Sequence, residues 1–122
     1  MEDRLISLEA AILAKNKGYN QNPYKVPYAY GPTYTDGSEI KLRSSSLFNP
    51  DSNTAIAPTQ SLLQKWLREE HNIIVLVDVF LGKFICKVNN IIVTNNKTGD
   101  ILKYNTYEEA LEIGLIEGLN RI

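Results

Sequence analysis

The stretch Pro58–Leu81, PTQSLLQKWLREEHNIIVLVDVFL, constrains the fold of this chain more than any other. Its first half has helical spacing. Leu62, Leu63, Trp66 and Leu67 fall on one face, while Gln60, Gln64, Lys65, Arg68 and Glu69 face away. Thr59 suits the N-cap position, and Asn72 after His71 suits a left-handed terminator. The second half is the longest apolar run, Ile73–Val77, interrupted by Asp78 and resumed as Val79–Leu81. Both alternating sets are apolar: Ile73, Val75, Val77 and Val79 on one side, Ile74, Leu76 and Phe80 on the other. Such a strand predicts cover on both faces. The N-terminal helix, the tyrosine-rich segment or a second copy of the chain could supply the second cover, so the expectation is a homodimer or a fully wrapped monomer.

Around this strand the pattern predicts an antiparallel sheet. Gly82 provides a tight turn into Lys83–Val88, where Phe84, Cys86 and Val88 alternate with Lys83, Ile85 and Lys87. After Asn89-Asn90, Ile91–Val93 either continues past a bulge or begins another strand, and Asp100–Tyr104 reads as a further short one. The helix Tyr107–Asn120 has a capping box in Thr106 and Glu109 and an apolar stripe of Leu111, Leu115, Leu119 and Ile122. Beside the stripe lie Ala110, Gly114 and Gly118. Each interior glycine costs a helix about 1 kcal/mol against alanine, so the pair predicts close backbone approach to another element.

The N-terminal part is different. Ser7–Gly18 reads as a short helix with Ser7 as cap and Gly18 as terminator, burying Leu8, Ala11, Ile12 and Lys15 as a thin stripe. Residues 19–57 hold five of the seven tyrosines and four of the five prolines. Asp36-Gly37 predicts a hairpin joining a strand around Tyr28–Thr35 to one around Ser38–Arg43. Pro32 favours an edge position for the first. Ser44–Ala57 reads as a surface loop. A tyrosine-rich segment without fixed structure is the competing reading.

Taken together, these elements predict a single α+β domain over residues 1–122. Residues 1–57 form the helix and tyrosine-rich part; residues 58–122 form a helix–strand–strand–strand–helix core. An antiparallel sheet of three to five strands carries two helices on one face, with the Asp36-Gly37 hairpin as a possible extension. With 122 residues, 43% hydrophobic and 22% charged, a packed core needs no disulfide or metal.

Several kinds of chemistry find little support. A net charge of −1 provides no overall drive towards nucleic acid or anionic membrane. The single cysteine, Cys86, allows no intramolecular disulfide and suits a reducing compartment. The acidic N-terminus is unlike a signal peptide, and no apolar run is long enough to span a bilayer. His71, the sole histidine, has no companions at metal-ligand spacing. No nucleophile arrangement or phosphate-binding loop occurs, so no cofactor or catalytic residue is assigned. Asp78 is the ionisable residue of most interest: on a covered face it needs a partner or a raised pKa, with Lys83 or Arg68 as the expected partner. Tyr24, Tyr28, Tyr30 and Tyr34 offer large, rigid contact area. Together with Asp78 they form the expected interaction surface.

Three further segments carry a resemblance: SLEAAILAKNKGYN at Ser7–Asn20, APTQSLLQKWLREEHNI at Ala57–Ile73 and YNTYEEALEIGLIEGLNRI at Tyr104–Ile122. In these the chain resembles a group of short proteins from phages and prophage regions of gut bacteria, a group with no assigned activity. The resemblance implies a small accessory protein in a bacterial cytoplasm. A non-enzymatic protein–protein interaction role is the leading expectation. A nucleic-acid-binding accessory is second, and a small enzyme using Asp78 or His71 is third.

Overall fold

The computed structural model describes residues 4–19, 28–31, 41–44 and 55–122. Its fold is α+β, with helices and two antiparallel sheets. The chain divides into two compact units, one within Leu5–Thr59 and one formed by Arg4 with residues 60–122.

In the first unit, α1 spans Leu8–Asn16. Ser7 caps it, its hydroxyl accepting from the Ala10 N–H at 3.1 Å, and Gly18 follows the C-cap at φ +99°. Of the expected stripe only Ala11 is enclosed, with Ala10 and Ala14 beside it, while Leu8, Ile12 and Lys15 are half-buried. The reason is the neighbour. α1 packs on β3, Ala55–Ile56, and Ala55, Ile56 and Ala57 are buried too. Small side chains on both surfaces let the backbones approach closely.

Strand β1, Tyr28–Gly31, pairs antiparallel with β2, Lys41–Ser44, from Tyr28 opposite Ser44 to Gly31 opposite Lys41. These two strands were expected to pair, but the register is one residue off that of a two-residue Asp36-Gly37 turn, which would set Tyr28 opposite residue 45; the turn itself lies outside the described residues. Two expectations need correction. Part of the presumed loop Ser44–Ala57 is a strand, since β3 pairs with β1 at Ala29–Ile56 and Tyr30–Ala55. As a result β1 is central in the order β2-β1-β3. The described strand ends at Gly31, before Pro32, so no proline interrupts its ladder.

The second unit holds α2 (Gln60–His71), β4 (Val75–Phe80), β5 (Lys83–Val88), β6 (Ile91–Ile92) and α3 (Tyr107–Asn120). Its sheet has the order β4-β5-β6 and is separate from the first, so the hairpin does not extend it. Leu81-Gly82 and Asn89-Asn90, all with positive φ, are the two-residue turns of its hairpins. Thus Ile91 begins a new strand. The segment after β6 returns through bridges at Thr94–Ile101 and Phe84–Tyr104, where a regular short strand was expected.

The inner sheet face, made by Val75, Cys86 and Val88, carries α3, whose cap is the expected one. The Thr106 hydroxyl accepts from the Glu109 N–H at 3.2 Å. Leu111, Leu115 and Leu119 are buried, but Ile122 lies beyond the helix and is exposed. Gly114 sits where an added Cβ would lie 2.7 Å from Val75 Cγ1, and one on Gly118 would lie 3.1 Å from Val75 Cγ2. The two glycines therefore mark the close helix–sheet approach their spacing predicted. From α2, Leu63 and Leu67 are fully buried and Leu62 and Trp66 half-buried. Gln60, expected to face away, is also buried. Its side-chain amide donates to the Glu108 carbonyl at 2.9 Å and to the Glu112 carboxylate at 3.1 Å, which ties the start of α2 to α3.

Candidate interaction surface

The other face of the β4-β5-β6 sheet is defined by strand register. Leu76 stands opposite Lys87, Asp78 opposite Ile85 and Phe80 opposite Lys83. Side chains alternate along a strand, so these six share one face, opposite to the face that packs α3. Ile74 continues the β4 row. Full cover is not reached here within the single chain: Ile74 is 45% exposed, Leu76 46% and Phe80 37%. Only Ile85, at the centre of the face by register, is closed off, at 2%. The apolar alternation of β4 is that of a two-sided strand, but the outer row is half-exposed around the buried Ile85, and on the inner row Val79 at the hairpin end is 63% exposed.

Asp78 lies in this open row, so it is exposed rather than buried. Its Oδ2 accepts from Lys87 Nζ at 3.1 Å, not from Lys83 or Arg68. Its Oδ1 accepts from the N–H of Val79 at 2.8 Å. The hydrogen bond from Val79, then Lys87, holds its carboxyl below the ordinary value, the reverse of the shift that a covered face implied.

The other lysines of the face have different neighbours. Lys83 Nζ donates to the neutral Asn105 side chain. Lys103 Nζ sits 5.6 Å from the centroid of the Phe80 ring.

The free edge of β4 is also partly closed. Ile74 accepts from Asn89 on the β5 side, while Phe84 and Cys86 use their backbone groups towards Tyr104 and Val93. In an antiparallel ladder this pattern turns the N–H and C=O of Val75, Val77 and Val79 outward. The Gln64 side chain donates to the Val75 carbonyl, and Asp78 takes the Val79 N–H. Both ends of the edge are therefore occupied by side chains.

At the tip, Leu81 is 79% exposed at φ +52°. A left-handed conformation costs a non-glycine residue about 1–2 kcal/mol, and this leucine gains no burial in return.

The expected tyrosine surface lies mostly outside the described residues. Tyr24 and Tyr34 lie outside the described residues, and of Tyr28 only the strand backbone is described. Tyr30 is half-buried, and its hydroxyl donates to the Ile6 carbonyl at 2.8 Å, which makes it a structural anchor within the first unit. His71 packs edge-on against Trp66, with ring centroids 4.6 Å apart. Cys86 is fully buried, and burial pushes its thiol up to about 11. Among the described residues no three His, Cys, Asp or Glu side chains are grouped to hold a metal, and no helix is long and apolar enough to cross a membrane. Sequence reading singled out Asp78 on the face of Ile74, Leu76 and Phe80 and named Lys83 as a partner, but did not place Lys87 or Lys103 there.

No family model, curated protein or solved structure matches this chain.

Proposed function

We propose that this protein is a non-enzymatic accessory factor of phage or prophage origin that works in a bacterial cytoplasm by binding another protein. The observation that carries the reading is the exposed row Ile74, Leu76 and Phe80 on a sheet whose opposite face packs α3 through Val75, Cys86 and Val88. An exposed apolar patch with a polar border is the ordinary form of a protein-binding surface. Phe80 supplies an aromatic anchor and Lys83, Lys87 and Lys103 supply the border. The docking site on this reading is the sheet face, with Asp78 inside it.

Site-specific photocrosslinking tests this. A photoreactive residue at position 76 is compared with one at Lys65, exposed on α2, in cells expressing the chain. Position 76 is expected to yield a discrete protein adduct that position 65 does not. Identical adducts from both positions, or none from 76, would count against the reading.

A further inference from the structure

We infer that the occupant of the outer β4-β5-β6 face is an acidic amphipathic helix, with an apolar stripe flanked by carboxylates; this rests on the protein-binding reading above. The first argument is charge. Lys87 is matched by Asp78 at 3.1 Å. Lys83 meets a neutral amide and Lys103 an aromatic ring, so both keep a positive charge that no carboxylate among the described residues balances. The chain as a whole has a net charge of −1, so this positive border is local to the face. A partner that buries Leu76 and Phe80 must also desolvate these ammonium groups, and carboxylates at its margin compensate that cost.

The second argument is geometric. A partner strand adding to β4 needs the free N–H and C=O groups of its edge. Gln64 occupies the carbonyl of Val75, and Asp78 occupies the N–H of Val79. The face, in contrast, exposes Ile74, Leu76 and Phe80, and a helix is the usual cover for an apolar sheet face.

Other occupants fit less well. A second copy brings the same lysines, and its own face offers one carboxylate, already engaged by Lys87. Single-stranded nucleic acid needs free aromatic faces for stacking. The one aromatic ring here already carries Lys103, and Asp78 would oppose the phosphates.

The test uses the full chain and two synthetic helical peptides with the same leucine stripe, one flanked by glutamate and one by lysine. A thymidine oligonucleotide and sedimentation of the protein alone complete the set. The glutamate peptide is expected to bind at least about tenfold more tightly than the lysine peptide. Leu76→Ser is expected to abolish this binding. Lys83→Glu with Lys103→Glu is expected to reverse the preference while circular dichroism remains native. If the lysine peptide binds equally well or better, still dependent on Leu76, the acidic occupant is overturned and the protein-binding reading survives. Oligonucleotide binding, or self-association, that Leu76→Ser removes overturns the proposal in favour of that occupant. Absence of any Leu76-dependent binding overturns both.

Discussion

Gly114 on α3 lies so close to Val75 on β4 that a single added methyl would sit 2.7 Å from Val75 Cγ1 and 3.0 Å from Cys86 Cβ. Both neighbours are fully buried and belong to paired strands, so neither can withdraw cheaply. Gly114→Ala gains about 1 kcal/mol of helix propensity but loses more to overpacking, for a net loss of about 1–2 kcal/mol. Gly118→Ala meets side-chain atoms at 3.1–3.3 Å and is expected to be milder. Urea denaturation ranks the two, and Val75→Ala should recover part of the Gly114→Ala loss. An unchanged midpoint for Gly114→Ala would mean that the helix does not lie this close.

Leu81 provides the opposite case. It is largely exposed at positive φ beside Gly82, also at positive φ. Asparagine tolerates the left-handed region better than leucine. Leu81→Asn should therefore raise stability by about 0.5–1 kcal/mol, read as a higher urea midpoint with unchanged slope. A lower midpoint would show that the leucine makes a contact its exposure does not suggest.

The buried Cys86 thiol ties stability to alkaline pH. Burial raises its pKa from 9.0 to about 11, so the folded state holds a proton that the unfolded chain releases earlier. Its contribution is complete below about 9 and is lost as pH rises through about 11. Tyr104 shifts in the same direction through its own burial, so Cys86→Ala is the comparison that isolates the thiol. The wild type should lose stability over that window more steeply than Cys86→Ala. At pH 8 a thiol reagent should label the native protein only as fast as it opens.

Asp78 has two roles that substitution separates. Asp78→Asn and Asp78→Ala both lose the charge facing Lys87, but only asparagine keeps an oxygen for the Val79 N–H. If the cap protects the edge of β4, the alanine variant should self-associate more with rising concentration than the asparagine variant, measured by sedimentation velocity. Equal behaviour would assign any effect to charge alone.

The core of the second unit was legible because local chemistry decided it. Thr106 and Glu109 announced α3, Gly114 and Gly118 announced its close packing, and the alternation of Phe84, Cys86 and Val88 announced the inner face. The outer face was legible only as a question of what covers it, because Ile74, Leu76 and Phe80 carry the same pattern whether covered or bare. Gln60 was misplaced for a related reason: a buried amide looks like a surface one until its acceptors at Glu108 and Glu112 are known. The strand at Ala55–Ile56 was missed because two residues carry no periodicity, and its pairing with Ala29 and Tyr30 is set at long range.

The guarded edge of β4 also bears on how the chain folds. Asp78 and Val79 are neighbours in sequence, so that guard can form with the hairpin itself. Gln64 belongs to α2 and reaches Val75 only once that helix has docked. Hairpins form in about 1–10 μs, whereas contacts such as Gln60 with Glu108 need distant segments to meet and come later. Between these events the chain passes through a state with half of its edge unprotected. Refolding yield should therefore fall as concentration rises, and Gln64→Ala should deepen that fall more than it lowers equilibrium stability.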